Sequence, residues 1–176
     1  GAGNRLWATY YGGLGEEEAF SVTTDNLGNV YLGGWTTSST GISFNGFQNS
    51  LTGTTGNLWE NGFVVKFDSN GNRLCATYYG AQHEEDVIIN VDSAGNVYLA
   101  GLTFSPTGIA SGGFQNTYGP DFLVKFDAAG NRIWATYYAG GEQEARVATD
   151  AAGNVYLAGS TANDEGVASA GFQNTY

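Results

Sequence analysis

Three strings recur along this chain, and their recurrence restricts the fold more than any other feature. GNRLWATYYGG opens at Gly3 and returns as GNRLCATYYGA at Gly71 and GNRIWATYYAG at Gly130. GNVYLGG at Gly28 returns as GNVYLAG at Gly95 and Gly153, and GFQN stands at Gly46, Gly113 and Gly171. The spacing is 67 to 68 residues and then 58 to 59, most of the difference being an insertion within SLTGTTGNLWENG of the first copy. A fixed period of this kind marks supersecondary units that bury their apolar faces against their neighbours.

Each copy reads as four strands. The first is at residues 19–25, 86–92 and 144–150, and the second at 29–36, 96–103 and 154–161. The third is at 62–68 and 121–127, and the fourth at 73–80, 132–139 and, ahead of the first copy, 5–12. All are rich in Val, Tyr, Phe, Thr and Trp and lack a 3.6-residue apolar spacing. Five D-x-x-G-N strings, starting at Asp25, Asp68, Asp92, Asp127 and Asp150, fall between them. There the Asp side chain accepts a bond from the N–H two residues on, and Gly supplies the positive φ of a type I turn with a bulge. A calcium loop of the EF-hand kind needs several spaced carboxylates and a distant Glu, which these turns lack. The small pairs Gly33-Gly34, Ala100-Gly101 and Ala158-Gly159 predict close backbone approach inside the second strand.

Four antiparallel strands repeated in series form the blade of a β-propeller. GNVYLAG, GFQN, DFLVKFD and the WATYY strand together resemble the SBBP repeat, a bacterial β-propeller repeat. The resemblance implies an all-β chain of tandem four-stranded blades, secreted or exposed on a bacterial surface, as part of a larger protein. It implies no catalytic residue set. The expected frame is an outer strand of a preceding blade in 1–16, one blade in 17–80, a second in 81–139 and the inner two strands of a third in 140–176. First strands are expected innermost and WATYY strands outermost. Propellers close with at least about four blades, so this stretch is expected to be an excerpt or to associate with other copies. The unpaired edges at either end would then pair with neighbouring blades or with a second chain.

Lys plus Arg number 6 against 17 Asp plus Glu, a net charge of −11. Phosphate recognition needs clustered cations, so the charge argues against a nucleic-acid partner and equally disfavours docking to anionic lipid. No apolar run approaches the ~20 residues of a spanning helix, so membrane insertion is not expected. Cys75 is the single cysteine and forms no intrachain disulfide. It shares a repeat column with Trp7 and Trp134 and reads as a buried, inert thiol. His83, the single histidine, reads as a surface loop residue.

Candidate chemistry concentrates ahead of the first strands, in the loops at 15–19, 83–87 and 141–145. Glu17, Glu84 and Glu142 form one column, each eight residues before Asp25, Asp92 and Asp150. Glu18 and Glu85 form the next, and Asp86 with Glu144 a third. Carboxylates ringed at a channel mouth suit a hard cation such as Ca2+; otherwise they make a solvated acidic rim. Trp35 and Trp59 fall outside the repeat columns and are candidates for stacking on a sugar ring. Phe47, Phe114 and Phe172 read as anchors holding the long segment onto its blade. One His and one Cys make a zinc site or a nucleophilic triad poorly supported. The expectation is a non-enzymatic scaffold at the cell surface that contacts protein or glycan. A lectin-like propeller and the propeller portion of a secreted enzyme are the alternatives.

Overall fold

The computed structural model describes residues 2–53, 60–83, 85–138, 145–161 and 171–173. Among these, helix is absent and ten strands form. They are β1 (Glu17–Thr24), β2 (Val30–Thr36), β3 (Asn61–Phe67), β4 (Arg73–Tyr79), β5 (Ile88–Val91), β6 (Val97–Leu102), β7 (Asp121–Phe126), β8 (Arg132–Tyr138), β9 (Arg146–Thr149) and β10 (Val155–Ala158). β1-β2-β3-β4 and β5-β6-β7-β8 are four-stranded antiparallel meanders, and β9-β10 is a two-stranded sheet. β5 adjoins both β1 and β9, so the first strands line up side by side.

The D-x-x-G-N turns set the hairpins as their chemistry requires. Asp92 Oδ1 accepts from the N–H groups of Ala94 and Asn96, and Oδ2 from the Asn96 amide. Gly95, at φ 83°, donates its N–H to the Asp92 carbonyl. The inner hairpins add a fourth partner, the hydroxyl of Tyr31, Tyr98 or Tyr156, donated to Asp25, Asp92 or Asp150.

The small residues inside the second strand are a steric necessity. A Cβ at Gly34 would lie 1.9 Å from the Glu18 carbonyl oxygen, and one at Gly101 would lie 1.7 Å from that of Asp86. Backbone cannot retreat as a side-chain tip can, so β1 and the entry to β5 sit where only glycine lets them.

The long segments after β2 and β6 fold over the outer edge of their own blades. Phe44 and Gln48 bridge Ala76 and Tyr78 of β4, and Ser111 bridges Ala135 of β8. Covering an edge in this way removes a template for unwanted pairing. The anchors are in part those expected: Phe114 stacks on Tyr138 of its own blade at 6.0 Å, whereas Phe47 meets Phe126 of the next one. Phe47, Phe114 and Phe172 are 44%, 82% and 107% exposed, whereas Ile42 and Ile109 are wholly buried. In GFQN the polar residue does the holding: the backbone N–H of Gln48 and Gln115 donates to Thr77 and Thr136.

Neighbouring blades meet through a repeated tyrosine. Tyr79 of β4 stacks on Phe122 at 5.7 Å, meets Phe126 edge-on at 5.9 Å, and donates its hydroxyl to the Ile109 carbonyl. Tyr11 makes the same set one junction earlier, with Phe63 at 5.4 Å, Phe67 at 5.9 Å and the Ile42 carbonyl. The segment expected as a strand at 5–12 therefore docks where an outer strand belongs. It carries no ladder pairing, because the described residues give it no third strand to bond to.

Candidate functional site: blade ends and the junction between blades

At one end of the sheets, the predicted acids become internal staples. Glu17 Oε1 accepts from the Thr36 hydroxyl at 2.7 Å, and Oε2 from the Gly13 N–H at 3.1 Å. Glu85 is fully buried; its Oε1 accepts from the Ser105 and Thr103 hydroxyls and its Oε2 from the Asn61 amide. Thr36 at the end of β2 pairs with Glu17, and Thr103, the equivalent residue just after β6, pairs with Glu85, so Glu17 corresponds to Glu85. The expected pairing of Glu17 with Glu84 is thus out by one residue. The cause is a β-bulge between Ala19 and Ser21 of β1, which adds a residue that the second blade lacks. Sequence spacing cannot register a bulge when the flanking residues are all acidic.

Burial pushes the Glu85 carboxyl up to about 7, against the lowering effect of its bonds from Ser105, Thr103 and Asn61. Glu18 is exposed opposite Trp35, which is half-buried on β2. Asp86 is half-buried and donates its N–H to the Leu102 carbonyl. Glu84, Glu142, Glu144 and Trp59 lie outside the described residues. Among the described residues, no three His, Cys, Asp or Glu side chains converge as a metal ion would require. Of the four placed column members, Glu17 and Glu85 point their oxygens at hydroxyls of their own blades and at amide groups of the segment before, Gly13 and Asn61.

At the opposite end, the inner turns surround a cleft of about 200 Å³ that includes Asp25, Asp92, Asp150 and Thr149. Burial raises the Asp25 and Asp92 carboxyls, but bonds from Asn, Tyr and backbone N–H groups outweigh it and hold both below the usual range. Bonds from Asn154 and Tyr156 bring Asp150 down to about 2. Such carboxylates stay ionised and fully engaged, which suits turn closure and not proton transfer.

Between the first two blades lies a cavity of about 60 Å³. Phe47, Cys75 and Lys66 wall it on one side, and Leu99, Phe126 and Gly130 on the other. Phe47 reaches across the junction, meeting Phe126 edge-on at 5.5 Å with the Arg132 guanidinium 4.9 Å from its ring centre. Cys75 is half-buried and not sealed in the core as expected. Burial pushes its thiol up, so it stays protonated, and the charge of Lys66 offsets this only in part.

With the blades and their junction described, the comparison with known families is direct. Residues 6–41 match the SBBP beta-propeller repeat. This SBBP unit starts in the docked WATYY segment and runs through β1 and β2. Its frame therefore straddles a junction, carrying Tyr11 from one side and the inner hairpin from the other. The same strings recur at the second junction. No curated protein matches the chain. No helix among the described residues is long and apolar enough to cross a membrane.

Proposed function

We propose that this chain is a non-enzymatic β-propeller module that works outside the cell or on its surface, as a scaffold that contacts protein or glycan. The observation that carries the reading is the fate of its polar side chains. Glu17, Glu85 and the five turn aspartates, all at recurring positions, spend their oxygens on hydrogen bonds within their own blade or to the segment just before it, Gly13 for Glu17 and Asn61 for Glu85. Four of the six cations, Lys66, Arg73, Lys125 and Arg132, lie over aromatic rings. Repetition here maintains architecture, and the surface is left to recognition. Location follows the SBBP resemblance, which implies a bacterial exterior.

Glycan is the second reading, favoured by the outer segment of the second blade. There Phe104, Phe114 and Tyr118 are 52%, 82% and 45% exposed, the kind of aromatic surface on which sugar rings stack. A glycan array, run beside turnover assays on a panel of polysaccharides, tests both. Array binding lost in a Phe104, Phe114→Ala double variant selects the lectin reading. Hydrolysis of any polysaccharide that survives repurification overturns the non-enzymatic one.

A further inference from the structure

We propose that the cavity between the first two blades is a binding site for an indole ring. The preceding junction shows how such a ring sits. There Trp7 packs on Phe67 with ring centres 6.0 Å apart, and its indole N–H donates to the Ser69 carbonyl at 3.1 Å. It also covers Gly71 so closely that a Cβ there would lie 3.0 Å from the ring. At the second junction Phe126, Ala128 and Gly130 take the places of Phe67, Ser69 and Gly71, and all three line the cavity. The turn is the same: Gly130 has φ 88° against 86° for Gly71, and both donate to the carbonyl three residues back at 3.0 Å.

What differs is the residue facing this surface. Cys75 stands in the repeat position of Trp7, and the volume of the missing indole is open. A Cβ built on Gly130 meets nothing within 4 Å. The remaining 60 Å³ admits about four to six waters at ~10–15 Å³ each, a space of the order of one bicyclic ring. The walls are apolar, from Val64, Val97, Leu99 and Phe126, with Phe47 at the side. The Ala128 carbonyl stands where Ser69 accepts from Trp7. A neutral planar ring with one N–H donor matches both the shape and this acceptor. An indole presented by a small molecule and one presented by a tryptophan of another chain share that chemistry.

The test titrates the full chain with indole, 1-methylindole and N-acetyltryptophanamide by calorimetry, and follows alkylation of Cys75, the single cysteine, in parallel. Indole is expected to bind and to slow alkylation. 1-Methylindole, which lacks the donor, is expected to bind about fivefold more weakly. Protection by N-acetyltryptophanamide as well assigns the site to a tryptophan side chain; its failure assigns it to a free small molecule. Cys75→Ala should keep binding, while Cys75→Trp, which supplies the ring from within, should weaken it at least about tenfold and raise the melting temperature. Absence of indole binding and of thiol protection in the folded wild-type chain overturns the proposal, whatever Cys75→Trp does. So does a folded Cys75→Trp variant that binds indole as the wild type does.

Discussion

Glu85 offers the sharpest test of how the blades are held. It is wholly buried beside the Thr103 and Ser105 hydroxyls and the Asn61 amide, and its carboxyl is raised from 4.5 to about 7 by burial. A carboxyl whose folded value exceeds its unfolded one holds its proton more tightly in the folded state. Its contribution to stability is then fully present below the unfolded value and is lost as pH rises through the folded one. At about 1.36 kcal/mol per pH unit, the rise corresponds to about 3 kcal/mol lost between pH 4.5 and 8. Glu85→Gln keeps the shape and removes the titration. Its amide can turn so that its oxygen accepts from Asn61 while its N–H groups face the two hydroxyls. Urea unfolding of both proteins at half-unit steps across this range gives two stability curves. The wild-type curve should fall about 3 kcal/mol further than the Glu85→Gln curve as pH rises. All other groups titrate in both proteins and cancel in the difference. Parallel curves would refute the assignment of a buried, desolvated carboxyl at this position.

The aspartate staples have the opposite sign. Asp92 is held below the ordinary carboxylate range, so its contribution is present above about pH 4 and lost on further acidification. Asp92→Ala should cost about 1–3 kcal/mol at neutral pH, because buried Tyr98 loses its acceptor, and should flatten the acid limb of the stability curve. Gly95→Val places a β-branched residue at φ 83° and should cost about 1–3 kcal/mol in denaturant unfolding. Gly101→Ala sets a methyl against the Asp86 carbonyl and should be destabilising by about 1–3 kcal/mol or more, read as a lower melting temperature. Tyr79→Phe removes the bond to the Ile109 carbonyl at the blade junction and should cost about 1 kcal/mol in the same assay.

Much of this architecture is written in local chemistry. Asp, Gly and Asn at fixed positions close a hairpin with atoms no more than six residues apart, so the five turns and the strands they join are readable from the string alone. The same holds for Gly34 and Gly101, whose missing side chains announce a close approach before its partner is known. The site is less legible, because its meaning depends on atoms far away in the chain. Glu85 looks like one more exposed acid until Asn61, Thr103 and Ser105 enclose it, and the bulge in β1 shifts its partner in the first blade by one residue. Ile42 and Ile109 share only the short string TGI and yet are wholly buried in the long segments, while the more conspicuous phenylalanines of GFQN stay partly or largely exposed. Cys75 reads as a small apolar substitute for Trp7. Only the packing of one blade on the next decides whether its neighbours close over the lost ring or leave its volume empty. Phe126, Ala128 and Gly130 are held by their own hairpin and cannot collapse into the gap, so here the volume stays.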